Sequence, residues 1–316
     1  MKVMIVGGAG FIGSAFVREA NRRGMKPLVA DLLTYAGRRE NLVGTDHDFV
    51  RADVRSEDIH GLIKEFSPDV VVNFAAETHV DRSIYKPQEF VTTNVLGSVN
   101  LLEAARKFDF SYVHISTDEV YGEECGDENS PLRPSSPYSA SKASADLFVK
   151  AYVRTYGIKS VIVRPSNNYG PRQFPEKLIP KVIIRTLLDT HVPIYGDGKT
   201  ERDWIYVEDT AKVILDLVER GEMRGEVHNI PGGQRYSVVD VIKMVGEVMG
   251  KDVRVKFVND RPGHDRRYCM TSKLRYTVTP IREGLRKTVE WYLENRWWWE
   301  PLTNDKFFLD DEPWRV

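Results

Sequence analysis

A loop of glycines near the amino terminus constrains the fold more than any other feature of this 316-residue chain. Gly7, Gly10 and Gly13 follow the apolar run at residues 3–6 and precede a stretch with helical spacing. Glycine suits a tight turn because it has no Cβ, so a phosphate group can approach the backbone. The free amides of the following helix favour an anion. The pattern predicts a strand–turn–helix unit that binds a pyrophosphate, and its alternative is a purely structural turn.

Asp31 extends this prediction to a particular dinucleotide. It ends a second predicted strand, at residues 27–31, 18 residues after Gly13. A carboxylate at that position accepts hydrogen bonds from ribose hydroxyls and repels a 2′-phosphate, which favours NAD over NADP. Arg38 and Arg39 lie nearby and keep NADP open as an alternative.

Strand and helix signals alternate through the first half of the chain. Apolar runs predict strands at residues 27–31, 47–53, 69–74, 110–116 and 160–164, and helical spacing predicts helices at 11–23, 57–66, 89–108 and 139–156. Strands apolar enough to be covered on both faces indicate a parallel sheet between helices. We therefore expect an α/β fold with a doubly wound parallel-sheet Rossmann domain.

The second half is less regular, with shorter elements and clustered Pro and Gly. We interpret it as a smaller C-terminal α/β substrate-binding domain that covers the carboxyl ends of the strands. The expected division is an NAD-binding domain at residues 1–165 and a substrate-binding domain at 166–316, with 204–230 returning to the first. The predicted helix at 209–220 packs back on the first domain. The tryptophans at 297–299 are interpreted as packing or an interface.

Composition excludes several classes of protein. Forty-five Lys and Arg against 46 Asp and Glu leave a net charge of −1, which is unlike a generally basic nucleic-acid binder. No apolar run approaches the roughly 20 residues of a membrane span, and no signal peptide opens the chain. Cys125 and Cys269 are too few for a disulfide framework, and the seven histidines show no metal-ligand spacing. We expect a cytoplasmic protein without a metal site, a nucleic-acid partner or a membrane association.

Two sequence features supply candidate chemistry. Tyr138 and Lys142 are one helical turn apart, so an ammonium can lie beside a phenol and favour its ionised form as a base. Thr117, Asp118 and Glu119 follow the fifth predicted strand, where they would face the nicotinamide. The two carboxyls can act as general acid and general base if their environments separate their pKa values. The alternative is a solvated strand–loop junction.

These residues lie in segments that resemble the extended short-chain dehydrogenase/reductase superfamily, and within it the dTDP-glucose 4,6-dehydratases. The resemblance runs from residue 1 to about residue 301 and is carried by segments 33–37 (LTYAG), 75–83 (AAETHVDRS), 116–122 (STDEVYG), 135–142 (SSPYSASK), 166–171 (SNNYGP), 174–180 (FPEKLIP) and 260–265 (DRPGHD). Its most specific part is the Thr-Asp-Glu triplet, since sugar-nucleotide epimerases usually lack both carboxylates.

The resemblance implies an NAD-dependent hydro-lyase, a lyase of deoxysugar biosynthesis that regenerates its tightly bound NAD in each turnover. Tyr138 would oxidise C4 with NAD, Glu119 would remove the C5 proton, and Asp118 would protonate the departing C6 hydroxyl. The predicted cofactor-binding residues are Gly7, Gly10, Phe11, Ile12, Gly13, Asp31, Leu32, Leu33, Thr34, Asp53, Val54, Phe74, Ala75, Ala76, Thr93, Tyr138, Lys142 and Asn168. The predicted substrate-binding residues are Thr78, Thr117, Asn167, Lys177, Leu178, Pro193, Ile194, Tyr195, Arg202, Arg261 and His264.

Several alternatives stay open at this point. Arg202 suits a phosphate clamp, but a surface ion pair with Glu201 or Asp203 is the other interpretation. A short connection between residues 121 and 135, and Ser237 where the family often has Asn, leave the base preference open. UDP-glucose 4,6-dehydratase and sugar-nucleotide 4-epimerase are the competing activities, and a catalytically silent NAD-binding protein is a competing class.

The family resemblance also implies a homodimer. The helical segment at 94–106 and the helix that carries Tyr138 and Lys142 would pair across a two-fold axis as a four-helix bundle. We expect their outer faces to carry Val95, Val99 and Leu102 on the first helix, and Leu147, Phe148 and Val149 on the second.

Overall fold

The computed structural model describes residues 1–315. Its strands are β1 (Val3–Val6), β2 (Leu28–Asp31), β3 (Asp48–Arg51), β4 (Val70–Asn73), β5 (Ser111–Ile115), β6 (Ser160–Pro165), β7 (Asn167–Tyr169), β8 (Val192–Tyr195), β9 (Glu201–Tyr206), β10 (Glu226–Ile230), β11 (Arg235–Ser237) and β12 (Val255–Val258). Its helices are α1 (Phe11–Arg22), α2 (Asp58–Phe66), α3 (Val80–Tyr85), α4 (Pro87–Phe90), α5 (Gly97–Phe108), α6 (Pro137–Tyr156), α7 (Leu178–Leu187), α8 (Val207–Arg220), α9 (Val238–Met249), α10 (Ile281–Glu294), α11 (Arg296–Trp299) and α12 (Lys306–Leu309). Short 3₁₀ helices span Arg39–Leu42, Asp118–Tyr121 and Glu300–Leu302.

A seven-stranded sheet forms the centre of the first half, in the order β10-β6-β5-β4-β1-β2-β3. Every neighbouring pair in it is parallel. The chain starts in the middle, winds out to β3, and then returns to wind in the other direction. All four residues of β1 are buried because helices cover both faces. The predicted doubly wound Rossmann fold is confirmed, and it brings the carboxyl ends of β1 and β4 together at the point where the winding reverses.

Residues beyond the midpoint of the chain complete this sheet and its helical cover. Strand β10 pairs with β6, with Glu226 opposite Val161. Helix α8 packs against α1, and Ile214 and Phe16 are buried in one apolar core. The apolar stripe of α8 accounts for this return, since it needs a covered face.

The second half has its own apolar core over two small sheets, with strand orders β11-β9-β7 and β12-β8. Helices α7, α9 and α10 supply most of it. Trp298 and Trp299 are buried in this core, whereas Trp297 is exposed. The Trp298 indole donates to the Asn41 side chain at 2.9 Å, which ties the carboxyl-terminal segment to the first half.

Three local expectations differ from the structure. The helix predicted at 89–108 is divided by a π-helical turn, Val91–Leu96. Leu102 and Val149 are fully buried, so they do not belong to the outer faces of their helices; Leu96, Leu147 and Phe148 are exposed there. Cys125 and Cys269 form a disulfide, a pairing that their number alone did not predict. Within residues 1–315 no helix is long and apolar enough to cross a membrane.

Candidate active site

A cleft opens at the carboxyl ends of the parallel strands, between the two halves of the chain. The predicted site residues that line it are Gly7, Gly10, Phe11, Ile12, Gly13, Asp31, Leu32, Thr34, Asp53, Val54, Phe74, Ala75, Ala76, Thr78, Thr93, Thr117, Asp118, Glu119, Tyr138, Lys142, Asn167, Asn168 and Lys177. The predicted site residues outside its lining are Leu33, Leu178, Pro193, Ile194, Tyr195, Arg202, Arg261 and His264. The sequence therefore identified most of the residues that face this cleft.

Glycine is needed at the three positions of the first loop for different structural reasons. A Cβ on Gly7 would lie 2.3 Å from the Ala75 nitrogen, and one on Gly13 would lie 2.3 Å from the Gly7 oxygen. These two glycines allow close chain–chain contacts. Gly10 is the N-cap of α1, where no side chain caps the helix and no acidic residue occupies the first turn. Unblocked amides at a helix amino terminus suit a pyrophosphate, so the loop fits NAD.

Asp31 organises this loop as well as facing the cleft. Its two carboxylate oxygens accept from the Ala9 amide at 2.9 Å and the Leu33 amide at 2.8 Å. Burial raises the pKa of Asp31, and these two amides oppose that shift. Each oxygen keeps a lone pair for a ribose hydroxyl. Leu33 contributes this amide from a left-handed backbone conformation, with φ 59°, while its side chain packs on the core.

Of the two arginines that left NADP open, Arg38 is held by the carboxyl-terminal segment, whereas Arg39 is exposed and packs on an aromatic ring. Arg38 donates to the Trp298 carbonyl at 2.9 Å and lies over the Trp298 ring. The Arg39 guanidinium lies 4.2 Å from the centre of the Phe49 ring. Farther along the cleft, the Asp53 carboxylate forms an ion pair with Arg55 at 2.7 Å. The Asp53 carboxylate, predicted to bind the cofactor, is therefore already paired with this guanidinium.

Tyr138 and Lys142 face the cleft from the first turns of α6. Ser136 caps this helix in a capping box with Ser139, so its amino end is well defined. The Lys142 ammonium donates to the Ile115 carbonyl at 2.5 Å, and burial lowers the pKa of Lys142 to about 8. Burial raises the pKa of the Tyr138 phenol, and the charges of Glu119 and Asp118 add to this shift. Ionisation of Tyr138 therefore depends on positive charge next to its ring.

Asp118 and Glu119 lie at the start of a 3₁₀ helix that follows β5. Thr117 caps it by accepting from the Glu119 amide at 3.3 Å, and Thr117 also donates to Asp118 Oδ1 at 3.2 Å. Both carboxyls are buried, with 2% and 9% of the residue exposed. The alternative of a solvated strand–loop junction is therefore wrong.

The two carboxyls differ in their surroundings. Burial raises the pKa of Asp118 well above its ordinary value, and the charge of Glu119 raises it further. Asp118 Oδ2 is buried and has no hydrogen-bond partner within residues 1–315. Burial also raises the pKa of Glu119, but Arg261, Arg202 and Lys177 oppose the shift. Both environments raise the pKa, but the cations around Glu119 limit the shift there, so Asp118 holds a proton more strongly than Glu119 does.

The predicted phosphate-binding residues form a second group next to Glu119. Arg202 donates to the carbonyls of Glu201 at 2.8 Å and Asp265 at 3.0 Å. Only 7% of Arg202 is exposed, and neither Glu201 nor Asp203 forms an ion pair with it, so the surface ion pair is excluded. Arg261 donates to Asp81 at 2.9 Å.

The remaining predicted substrate residues divide between this group and the core. Tyr195 donates to Asp81 Oδ2 at 3.0 Å, and His264 contacts Asp260 at 2.6 Å. Ile194 is buried in the core of the second half, and Leu178 packs against the same core. Pro193 is also buried, in a strand paired with β12. Ser237 caps helix α9 through a capping box with Asp240.

Sequence reasoning missed several polar residues that complete the site. Tyr268 donates to Glu119 Oε2 at 3.2 Å, and Asp81 holds both Arg261 and Tyr195. Asn94 accepts from the Glu77 amide at 2.8 Å and thereby fixes the turn after β4. Asp81 lies in a motif segment, but its partner is 180 residues away. Within residues 1–315 no group of three His, Cys, Asp or Glu is placed to hold a metal ion.

Comparison with known proteins links this cleft to sugar-nucleotide chemistry. The model of the NAD dependent epimerase/dehydratase family matches residues 3–230. The dTDP-glucose 4,6-dehydratase of Neisseria meningitidis serogroup B is 41% identical, over 98% of each chain. The crystal structure of DesIV, the dTDP-glucose 4,6-dehydratase of Streptomyces venezuelae with NAD and thymidine diphosphate bound, has a TM-score of 0.91 and 42% identity over 96% of this chain and 100% of that one. A UDP-glucose 4-epimerase of Thermus thermophilus, complexed with NAD, is 32% identical with a TM-score of 0.84, over 93% and 100% of the two chains.

Proposed function

Because the chain belongs to the NAD-dependent epimerase/dehydratase family, we propose that it converts dTDP-glucose into dTDP-4-keto-6-deoxyglucose and water. The observation that carries this proposal is the pair of adjacent buried carboxyls, Asp118 and Glu119, of which Asp118 has the more strongly raised pKa. Water elimination needs a base that acts at C5 and an acid that acts at the C6 hydroxyl, whereas epimerisation at C4 needs neither.

The first step uses the residues of α6. NAD accepts the C4 hydride and later returns it to C6, so the overall reaction is redox neutral. Tyr138 takes the proton of the C4 hydroxyl, and Thr117 and Lys142 line the cleft together with it. Lys142 carries a charge below its pKa of about 8, so at neutral pH it can stabilise the phenolate. The product of this step is a 4-keto sugar whose C5 proton has become acidic.

Elimination then uses the two carboxyls. Glu119 takes the C5 proton while protonated Asp118 gives its proton to the C6 hydroxyl, and the C6–O bond breaks to release water. The proton on Glu119 exchanges with solvent, and when the hydride returns to C6 a solvent-derived proton is delivered to C5 from Glu119. The proton first taken by Tyr138 replaces the one that Asp118 has lost, so protons and electrons balance. The raised pKa of Asp118 favours the protonated form that the acid of elimination needs.

Substrate binding draws on both groups of predicted residues. Thr78 and Asn167 line the cleft beside the carboxyls and would hold sugar hydroxyls. Lys177 also lines it, where its ammonium donates to the Thr78 carbonyl at 2.9 Å. Arg202 and Arg261 suit the diphosphate because a guanidinium offers paired donors. Tyr195 and His264 would lie beside the nucleoside.

We also propose the homodimer, the two-domain division and the cytoplasmic location expected above. Exposed Leu96, Leu147 and Phe148 support the dimer, since they leave apolar surface on neighbouring helices. The return of β10 to the large sheet supports residues 204–230 as part of the NAD-binding domain. Disulfides are uncommon in reducing compartments, so the state of Cys125 and Cys269 tests the location. In protein isolated without exposure to oxidants, two free thiols would support a cytoplasmic location, and an intact disulfide would oppose it.

The test is to incubate the purified protein with dTDP-glucose in deuterated water, without added NAD, and to follow the product by NMR and mass spectrometry. We expect loss of one water, solvent deuterium at C5, and the original C4 hydrogen at C6. A product that is the C4 epimer would assign the epimerase activity instead. Unchanged dTDP-glucose after NAD is supplied would overturn the proposal, and UDP-glucose would be the next substrate.

Two variants separate the steps. Asp118→Asn should retain C4 oxidation but lose elimination by roughly 10²–10⁴-fold, so reduced cofactor accumulates on the enzyme. Tyr138→Phe should lose C4 oxidation itself, so no reduced cofactor appears. Equal loss of both steps in Asp118→Asn would contradict the assignment of Asp118 as the acid of elimination.

A further inference from the structure

Tyr268 lies in an irregular segment that no motif of the sequence singled out, yet it contacts the reacting carboxyl. It is 2% exposed, and its hydroxyl donates to Glu119 Oε2 at 3.2 Å across 149 residues of sequence. Within residues 1–315, this is the sole hydrogen bond to the Glu119 carboxylate. The orientation of Glu119 therefore depends on one distant side chain.

Tyr268 is itself held from two sides. The Arg202 guanidinium lies 4.2 Å from the centre of its ring, a cation–π arrangement. The Tyr268 amide donates to the Glu201 carbonyl at 3.3 Å, so β9 supports both its ring and its backbone. A buried side chain held in this way has little rotational freedom and can impose its position on a partner.

The segment around Tyr268 is also joined to the loop that follows Glu119. The next residue, Cys269, forms the disulfide with Cys125. Gly126 donates its amide to the Cys269 carbonyl at 3.0 Å and accepts from the Thr271 amide at 2.9 Å. The 3₁₀ helix with Glu119 ends only four residues before Cys125. Tyr268, the donor, and Glu119, the acceptor, therefore lie on two segments that the disulfide joins close to both residues.

We infer that Tyr268 is a positioning residue for the proposed base: its hydroxyl orients the Glu119 carboxylate toward C5 and stabilises its ionised form. This inference rests on the proposed function. A hydrogen bond donated to a carboxylate favours the charged form. The groups facing Glu119 act in the same direction, since Arg202, Arg261 and Lys177 are all cationic, whereas Asp118 and its own burial oppose them. Tyr268 stays a neutral donor because burial and the charge of Glu119 raise its own pKa.

The test is Tyr268→Phe, which keeps the ring against Arg202 and removes only the hydroxyl. Deuterium incorporation at C5 is measured across pH, together with the single-turnover rate of C4 oxidation. We expect the rising limb of the C5 exchange profile to move about one unit toward higher pH, with exchange below that limb reduced about tenfold. C4 oxidation should change less than twofold.

Two comparisons make the result specific to Glu119. Tyr276→Phe removes a different tyrosine hydroxyl, which is partly buried and donates to the Pro231 carbonyl at 2.7 Å, and it should leave the profile in place. In a Glu119→Gln background, Tyr268→Phe should have no further effect on C5 exchange, because the two groups act as one unit.

The outcomes separate this inference from the proposed function. Wild-type protein that does not dehydrate dTDP-glucose would overturn the proposed function. Active wild type with an unshifted C5 profile in Tyr268→Phe would overturn the role of Tyr268. Equal loss of C4 oxidation and C5 exchange with no pH shift would also overturn it, because that pattern is expected of a purely structural residue.

Discussion

Asp146 and Arg164 form an ion pair with an N–O distance of 2.9 Å, and neither side chain is exposed to solvent. Asp146 follows Lys142 by one turn of α6, and its charge raises the pKa of Lys142 while burial lowers it. Arg164 also donates to the Tyr121 hydroxyl at 2.6 Å. The Asp146 carboxylate therefore lies between Lys142 of the cleft and Arg164, which is fully buried in strand β6.

Removing one partner of this pair should be costly. Asp146→Ala leaves the Arg164 charge buried without its counter-ion, so we expect the free energy of unfolding to fall by about 3–5 kcal/mol. Chemical denaturation would measure it. Glu290→Ala, which breaks the exposed pair with Arg286, is the matched control and should cost less than about 1 kcal/mol. Similar losses in both variants would contradict this assignment.

The raised pKa of Asp118 predicts a pH-dependent stability. The folded state holds this proton at pH values where the unfolded chain has released it, so the contribution of Asp118 to stability falls as pH rises above the ordinary aspartate pKa. Asp118→Asn removes this dependence. We expect the variant to match the wild type near pH 4 and to be more stable at pH 8, as measured by urea denaturation at each pH.

Asp127 provides a control of opposite sign. Hydrogen bonds from Ser130 lower the pKa of this exposed carboxyl, so its contribution is present above the unfolded pKa and disappears as pH falls. Asp127→Asn should therefore be slightly less stable than wild type at neutral pH and equal to it in acid. A stability gain for Asp118→Asn that is the same at every pH would show that its pKa is not the cause.

Two glycines of the first loop should separate folding from cofactor binding. In Gly13→Ala the new Cβ would lie 2.3 Å from the Gly7 oxygen, so we expect a loss of roughly 1–3 kcal/mol of stability. In Gly10→Ala its nearest neighbour is that same oxygen at 3.3 Å, so the fold should tolerate it. The added methyl group would instead hinder the approach of the pyrophosphate.

Thermal unfolding and the NAD content of the purified variants would measure the two effects. We expect a lower Tm for Gly13→Ala, and a nearly normal Tm with reduced NAD for Gly10→Ala. A normal NAD content in Gly10→Ala would contradict the placement of the pyrophosphate at this helix terminus.

The disulfide should stabilise the protein. Cys125 and Cys269 are 144 residues apart, and a crosslink across a long loop restricts the unfolded chain. We expect the Cys125→Ser, Cys269→Ser variant to lose roughly 2–5 kcal/mol. Denaturation with and without reductant would measure it, since reductant should destabilise the wild type and leave the variant unchanged. Two free thiols in the untreated protein would overturn the pairing.

Local sequence patterns predicted those site residues whose relative positions depend on a single turn or a single strand end. The glycine loop, Asp31 and the Tyr138–Lys142 pair each combine residues within one turn or at one strand end. Alternating apolar segments required a parallel sheet, and such a sheet places successive strand ends at one edge. The order of the motifs along the chain therefore determined where most cofactor residues lie.

Only the tertiary structure decided the environment of those residues. Asp118 and Glu119 are chemically similar neighbours, and they differ because Arg261 and Lys177, from distant segments, oppose the pKa shift of Glu119, whereas the charges of Glu119 and Asp203 add to that of Asp118. Tyr268 and the Cys125–Cys269 pair have no local periodicity that would relate them to the site. The residue types and their order determined which groups are available to the chemistry. Long-range packing decided which of them are buried, paired or charged, because desolvation and Coulomb energy depend on distance in space and not on separation along the chain.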